Sequence, residues 1–172
     1  IHLPGHTPDH LGYKIGGNYP PAIMTLPHSY LQEFSDNLFC GDSLFHVDIG
    51  TARCDFPGGD ANDLFRSGRK LLSLSDHVKI WTGHDYPPQG RGDPVPWMSV
   101  QDHKKLNKHF KDGISEEEFV ALRKERDAGL AEPKLLHQSL QINIRAGRLP
   151  SPTKFGQRLL HLPLKLAEEE AW

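Results

Sequence analysis

The sequence has few cysteines, no long apolar run and no surplus of charge of either sign. Its 172 residues include only Cys40 and Cys54, too few for the disulfide framework of a small secreted domain, so we expect a reducing compartment. No apolar run approaches the roughly 18 residues that a transmembrane helix needs, so no membrane association is expected. Lys and Arg number 20 and Asp and Glu 22, so the net charge of −2 gives no argument for a nucleic-acid partner.

Histidine is the residue type in excess, with 11 in the chain, several of them beside Asp or Gly. The length fits one domain with a single core, and we assign 1–172 to a single, partial domain. The chain begins at Ile1 and in the middle of a motif, so we expect that an N-terminal part is missing. No targeting signal can then be read, and the expected location is the cytoplasm or the mitochondrion.

Short β-branched or aromatic runs closed by glycine predict buried strands over 11–15, 37–41 and 78–82. A loose alternation over 139–145 predicts an edge strand, and 159–164 predicts a last short strand. The first two runs are expected to pair as a hairpin. The proline-rich stretch that separates them, 18–35, is too long for a hairpin loop and is interpreted as an inserted surface loop.

Helical periodicity predicts three helices. Apolar residues recur at spacings of three and four over 60–74, where Asp60 or Asn62 can cap the first turn. A second helix is predicted over 99–110. A third begins at Ser115, which forms a capping box with Glu118, and ends before Pro133.

Three polar side chains follow glycine-bounded turns or strand ends, where they are suited to metal binding or to acid–base chemistry. His6 lies in the rigid loop Leu3-Pro-Gly-His-Thr-Pro-Asp-His10, Asp42 follows the second strand, and His84 follows the third. Taken singly, each has an ordinary alternative: an incidental surface histidine, a turn cap or a partner for a cation. Their recurrence at strand edges favours a shared site, because imidazole and carboxylate together suit Zn²⁺ or Fe²⁺.

Two further segments carry candidate residues. Arg53 and Asp55 lie in a glycine-bounded loop, where an arginine–carboxylate clamp is the simpler interpretation, and Cys54 between them is expected to be an inert packing residue. Arg145 is able to grip a substrate carboxylate in a bidentate manner, although a solvated surface arginine has the same sequence signature.

Five motifs resemble those of the metallo-β-lactamase superfamily, and most of all its persulfide dioxygenase (ethylmalonic-encephalopathy-protein-like) branch, next to the glyoxalase II hydrolases. In chain order they are Pro4-Gly-His-Thr-Pro8, Cys40-Gly-Asp42, the Arg-x-Asp-Phe of 53–56, Gly83-His-Asp-Tyr86 and Asn143-Ile-Arg-Ala-Gly147. The resemblance implies an α+β fold, a four-layer αβ/βα sandwich of which this chain supplies mainly the C-terminal half. The superfamily's first motif, His-x-His-x-Asp-His, is absent from these residues.

The resemblance also implies roles for individual residues. His6 and Asp42 match metal ligands. His84 matches a ligand of a second metal ion in the glyoxalase II-like members, and in the dioxygenases it matches a residue just outside the ligands of a single iron ion. Tyr86 and Arg145 match positions on the glutathione-facing side, with Asp42 and Tyr86 as the catalytic candidates. Behind the ligands, Arg53, Asp55 and Asp85 are supporting candidates, and Asp55 or Asp85 is expected to orient a histidine.

Three functions remain open at this point. The first is an Fe²⁺-dependent dioxygenase of glutathione persulfide in sulfide metabolism. The second is a hydrolase of glutathione thioesters with one or two Zn²⁺ ions. The third is a catalytically silent fragment or binding scaffold, whose uncovered apolar sheet face predicts association. A small-molecule substrate is expected in the first two cases, and a homodimer is left open.

Overall fold

The computed structural model describes residues 1–16 and 36–163. The chain divides into two compact units, Ile1–Gly129 and Leu130–Trp172. The assignment of 1–172 to a single domain stays a prediction, and the inserted loop predicted over 18–35 lies outside the described residues. No helix in the described part of the chain has the length and apolar character needed to cross a membrane.

A four-stranded sheet organises the first unit. Its strands are β1 (Tyr13–Ile15), β2 (Asn37–Gly41), β3 (Lys79–Thr82) and β4 (Trp97–Ser99), arranged in that order. β2 and β3 are parallel, and the two outer pairs are antiparallel. The three strands predicted in this unit are confirmed, as is the pairing of the first two, whereas β4 was not predicted.

Helix α1 (Ala61–Leu72) lies between the two parallel strands in sequence, as a parallel crossover requires. Asp60 is its N-cap and accepts hydrogen bonds from the amides of Asn62 and Asp63. The apolar stripe predicted from the sequence is buried, with Leu64 and Leu71 fully inaccessible to solvent. The stripe therefore forms part of the core beneath the sheet.

Two further helices complete the first unit, and both begin with a capping box. Helix α2 (Val100–Leu106) is capped by Ser99 and is shorter than the predicted 99–110. It ends early because the side chain of Asn107 accepts hydrogen bonds from the amides of His109 and Phe110 and so holds the chain in a turn. Helix α3 (Glu116–Ala128) begins after Ser115, as predicted.

The two faces of the sheet differ in their surroundings. Leu38 and Ile80 are fully buried in the core on one face. Strand register places a row of aromatic residues on the other, namely Tyr13, Phe39, Trp81 and Trp97. The rings of Phe39 and Trp81 stack at 5.7 Å, and Tyr13 is 64% exposed. This row, called the aromatic row below, is a partly exposed apolar surface of the first unit, on which Trp81 and Trp97 are half-buried.

In the second unit, Leu136–Asn143 form helix α4. The edge strand predicted over 139–145 is therefore wrong, and 159–163 form no strand. The alternation of Leu140, Ile142 and Ile144 imitates a strand, yet a strand needs a neighbouring chain for its hydrogen bonds. A helix closes these bonds internally, as the bond from the Ser139 amide to the Leu135 carbonyl illustrates.

Candidate metal centre

Three of the predicted site residues meet at one end of the sheet. The Asp42 carboxylate lies between two imidazoles, with His6 Nε2 at 3.5 Å from its Oδ2 and His84 Nε2 at 3.6 Å from its Oδ1. Both separations exceed a normal hydrogen bond of about 2.7–3.2 Å. Asp42 and His6 are about a quarter exposed or less, whereas half of the His84 side chain is exposed.

Asp42 and His84 are neighbours because β2 and β3 are parallel and end at the same edge. The two turns are tied together where the Gly83 amide donates to the Gly41 carbonyl at 3.0 Å. Gly83 also makes room for the carboxylate, since a Cβ at this position would lie 2.6 Å from Asp42 Oδ1. The glycine next to His84 thus allows the strand end to approach the carboxylate closely.

His6 is held by its loop against helix α1 and by one hydrogen bond of its ring. Gly5 has a φ of +137°, and a Cβ there would lie 2.3 Å from the Leu64 backbone, so only glycine fits this approach. The His6 Nδ1 atom is 2.6 Å from the Arg53 carbonyl oxygen. Because a carbonyl only accepts, Nδ1 donates, and in the neutral ring Nε2 carries the lone pair, on the side that faces Asp42.

Arg53 and Asp55 form the clamp that the sequence suggested. Arg53 donates to both carboxylate oxygens, at 2.6 and 2.5 Å, and holds the pKa of the Asp55 carboxyl below its ordinary value through these bonds. The guanidinium also lies over the Phe56 ring, which packs in a T-shaped arrangement with the His6 ring, with centroids 5.3 Å apart. The His6 ring itself bonds to the Arg53 carbonyl, so the expectation that Asp55 orients a histidine ligand stays a prediction.

The turn that carries His84 is fixed by Asp85. Its carboxylate accepts from the Arg91 guanidinium at 2.9 Å and from the Val95 amide at 2.7 Å, and the Arg91 bond lowers the pKa of Asp85. Asp85 therefore anchors the turn, and the expectation that it orients a histidine ligand stays a prediction. Tyr86 is 61% exposed and stacks on the His84 ring at 5.5 Å.

Arg145 lies in the second unit, just beyond helix α4. Its guanidinium donates to the Gln141 carbonyl one turn earlier in the chain. Its predicted contact with a substrate carboxylate stays a prediction.

No family model matches the chain. It is 44% identical over 165 residues to a probable metallo-hydrolase of Burkholderia pseudomallei, which covers 95% of this chain and 52% of that protein. It is 40% identical over 169 residues to glyoxylase B2 of Dictyostelium discoideum, and the match covers 98% of this chain and 51% of that protein. Hydroxyacylglutathione hydrolase 1 of Vibrio vulnificus is 35% identical over 86 residues, covering 50% and 25%. The chain thus spans about half the length of the first two relatives.

Two solved structures share the fold. ETHE1 from Myxococcus xanthus superposes with a TM-score of 0.62 at 28% identity, covering 86% of this chain and 53% of that one. A metallo-beta-lactamase from Staphylococcus aureus gives a TM-score of 0.58 at 25% identity, covering 83% and 38%. The chain belongs to the metallo-β-lactamase superfamily. The predicted α+β class and the partial metallo-β-lactamase fold are thereby confirmed.

The donor atoms fit part of a superfamily metal site. The His6 Nε2 lone pair and the Asp42 carboxylate face each other, and this combination suits Fe²⁺ or Zn²⁺. Among residues 1–16 and 36–163, no three His, Cys, Asp or Glu side chains are arranged to hold a metal ion together. These residues therefore offer two facing donors, with His84 on the far oxygen of Asp42.

Beneath the site lies a buried ion pair that the sequence analysis did not predict. Arg123 and Asp127, on helix α3, are 2% and 6% exposed and meet at 2.6 Å. Arg123 also donates to the Thr51 carbonyl at 3.2 Å, and Asp127 accepts from the Cys54 amide at 3.0 Å. Their i, i+4 spacing was the available signal, but this spacing is equally typical of a solvated helix surface.

Burial shifts the pKa values of three other groups, Cys54, His103 and His109. Burial raises the pKa of the Cys54 thiol to about 12, as suits the inert role expected of it. Burial lowers the pKa of His103 to about 4 and that of His109 to about 3. Both histidines are therefore neutral in the folded protein at neutral pH.

Proposed function

We propose that the whole protein is a metal-dependent enzyme that acts on a glutathione-linked small molecule, and that its reaction is the dioxygenation of glutathione persulfide. The observation that carries the metal assignment is the approach of His6 Nε2 and Asp42 Oδ2 to 3.5 Å. The motif resemblance to the persulfide dioxygenase branch and the similarity to ETHE1 from Myxococcus xanthus support the reaction. The name of the Vibrio vulnificus relative supports a glutathione-linked substrate.

His6 and Asp42 would hold the iron, together with a histidine of the superfamily's first motif. Two imidazoles and one carboxylate are a ligand set typical of non-haem Fe²⁺ enzymes that react with O₂. The chemistry that bound iron supplies is oxidation of the terminal sulfur, so that glutathione persulfide, O₂ and water yield glutathione, sulfite and two protons.

The chain's own residues would position the donors and the substrate. The Arg53 carbonyl holds the proton on His6 Nδ1 and leaves Nε2 available as a ligand. Tyr86 presents an exposed ring beside His84, where it would contact the glutathione moiety. Arg145 would bind a glutathione carboxylate, because its planar guanidinium matches the two carboxylate oxygens.

A thioester hydrolase with two Zn²⁺ ions is the second candidate. It is favoured by His84 Nε2, which lies 3.6 Å from Asp42 Oδ1 while His6 faces Oδ2. Asp42, with one imidazole at each carboxylate oxygen, would help His6 and His84 to hold two zinc ions. The chemistry that bound zinc would supply there is activation of water for hydrolysis of the thioester.

Metal content and oxygen uptake distinguish the two candidates. The protein is loaded with Fe²⁺ or Zn²⁺, its metal is counted by elemental analysis, and it is given glutathione persulfide or a glutathione thioester. We expect about one iron per chain and O₂ uptake with the persulfide, and H84A should retain that iron. Two zinc ions, thioester hydrolysis without O₂ uptake, and loss of one zinc in H84A would establish the hydrolase instead. A whole protein that binds no metal and turns over neither substrate would contradict both.

A further inference from the structure

Asp127 and His6 bond to opposite ends of the same peptide group. The Arg53 carbonyl oxygen accepts from His6 Nδ1 at 2.6 Å, and the Cys54 amide, which belongs to the same peptide, donates to Asp127 Oδ2 at 3.0 Å. In a planar trans peptide the N–H and C=O bonds point in opposite directions. The buried carboxylate and the imidazole therefore lie on either side of this peptide and are connected through it.

We propose that Asp127 is a positioning residue for His6, acting through the Arg53–Cys54 peptide. The inference rests on the proposed function, in which His6 is a metal ligand. Histidine ligands usually donate their second ring N–H directly to a carboxylate or a carbonyl. In this chain the carbonyl is the direct partner, and the carboxylate stands one peptide group behind it.

The carboxylate has two effects on this arrangement. Its hydrogen bond fixes the rotation of the peptide plane, so that the Arg53 carbonyl stays aimed at His6 Nδ1. Its negative charge also polarises the peptide, since hydrogen bonds in a chain strengthen one another by about 10–30% per bond. Both effects hold the proton on Nδ1 and leave the Nε2 lone pair facing Asp42.

Asp127 is itself held rigidly enough for this role. It is 6% exposed, and Arg123 donates to its other oxygen at 2.6 Å. Arg123 in turn bonds to the Thr51 carbonyl and hydroxyl at 3.2 and 3.1 Å. Helix α3 thus bonds to the loop at Thr51 and at Cys54, on both sides of Arg53, whose carbonyl contacts His6.

The test uses the metal-free 172-residue chain with ¹⁵N-labelled histidine, at a pH where the His6 ring is neutral. Long-range ¹H–¹⁵N spectra show which ring nitrogen carries the proton. We expect His6 to be protonated on Nδ1 in the wild type. In D127N, which keeps an oxygen but loses the charge, and in D127A, which loses both, we expect a growing fraction protonated on Nε2. D127E should restore the wild-type spectrum at least partly.

Two control variants separate the connection from Asp127 to His6 through the Arg53–Cys54 peptide from a general loss of stability. C54A removes the thiol that lies 3.3 Å from Asp127 but keeps the Cys54 amide, so it should leave the His6 tautomer unchanged. F119L weakens the packing of helix α3 on the core, because Phe119 is buried there, and leaves Asp127 and the Arg53–Cys54 peptide unchanged. A His6 tautomer that is the same in D127N and D127A as in the wild type would overturn the proposal, as would an equal shift in F119L.

Metal binding provides a second readout. We expect D127N to weaken Co²⁺ binding about tenfold, as is common when a residue behind a metal ligand is changed. A whole protein that binds no Co²⁺ would count against the proposed function, while the tautomer spectra of the 172-residue chain would still decide whether Asp127 positions His6. If no Asp127 variant folds, measurements on the wild type test the proposal. A Cys54 amide that exchanges freely with solvent would overturn it, and so would a His6 ring without a proton on Nδ1.

Discussion

The carboxylate of Asp42 faces the imidazole of His6 at 3.5 Å, although the two residues are 36 positions apart in the sequence. Asp42 is placed by the end of a buried strand, and His6 by a loop that packs on helix α1 through Gly5. The two side chains are therefore aligned by separate elements of the fold, and each element can be perturbed without the other.

The space beside Asp42 depends on Gly83, so G83A should weaken metal binding. The new Cβ would lie 2.6 Å from Asp42 Oδ1, and the carboxylate must turn away. We expect Co²⁺ affinity, measured by calorimetric titration, to fall about tenfold, or about 1.4 kcal/mol. The control is G92A, since a Cβ at Gly92 meets nothing within 4 Å. Equal affinities in the two variants would show that Asp42 is not a ligand.

The stability of the fold should fall as pH decreases from 7 to 5, because two buried histidines resist protonation. The pKa values of His103 and His109 are lowered to about 4 and about 3, so the unfolded state binds more protons below its own pKa of about 6.5. The stabilisation is complete above that value and is lost as pH falls toward the folded pKa values. At pH 5 each histidine should lower the free energy of unfolding by about 1–2 kcal/mol relative to pH 7.

Urea unfolding at the two pH values measures this loss. The double variant H103Q/H109Q should show a smaller dependence on pH than the wild type. The control H77Q changes a side chain that is 65% exposed and should leave the dependence unchanged. A wild-type free energy of unfolding that is constant between pH 7 and 5 would contradict the assignment of neutral, buried histidines.

Both cysteines should be unreactive in the folded chain. Burial raises the pKa of Cys40 and of Cys54 to about 12, and the thiolate is the form that reacts with alkylating agents. At pH 8 we expect iodoacetamide, followed by mass spectrometry, to label neither residue until urea unfolds the chain. Rapid labelling of Cys54 in the folded chain would point to a reactive thiol beside Arg53 and against its packing role.

The aromatic row predicts that the chain associates with itself. Exposed apolar surfaces of this kind favour contact with another surface, and Tyr13 stands at the open edge of the row with 64% of its surface exposed. We expect concentration-dependent association in sedimentation velocity, and Y13K should reduce it. F155K, at an exposed position in the second unit, is the control and should not. A chain that stays monomeric at high concentration would contradict this prediction.

Much of the first unit could be predicted because its signals are local. Asp60 and the Ser115–Glu118 capping box mark helix starts through contacts within three residues. The strand that ends at Asp42 and the strand that ends before His84 were recognisable as short apolar runs closed by glycine. Since the two strands are parallel and adjacent, their predicted ends also gave the approximate place of the site.

The features that could not be predicted depend on contacts distant in sequence. Strand β4 has only three residues and exists because it pairs with β3. The alternation over 139–145 carried no information about a partner strand, so it could not exclude helix α4. The pair of Arg123 and Asp127 is buried because the loop containing Cys54 packs over it, and helical spacing alone does not show this.

The central claim is that His6 and Asp42 bind the same metal ion, and a double-mutant cycle of Co²⁺ affinity tests it most directly. H6A, D42N and the double variant are titrated by calorimetry alongside the wild type. If one ion contacts both side chains, each single variant should lose at least about tenfold in affinity, and the double variant should lose little more than the worse single variant. Losses that simply add, or an unchanged affinity in either single variant, would contradict the claim.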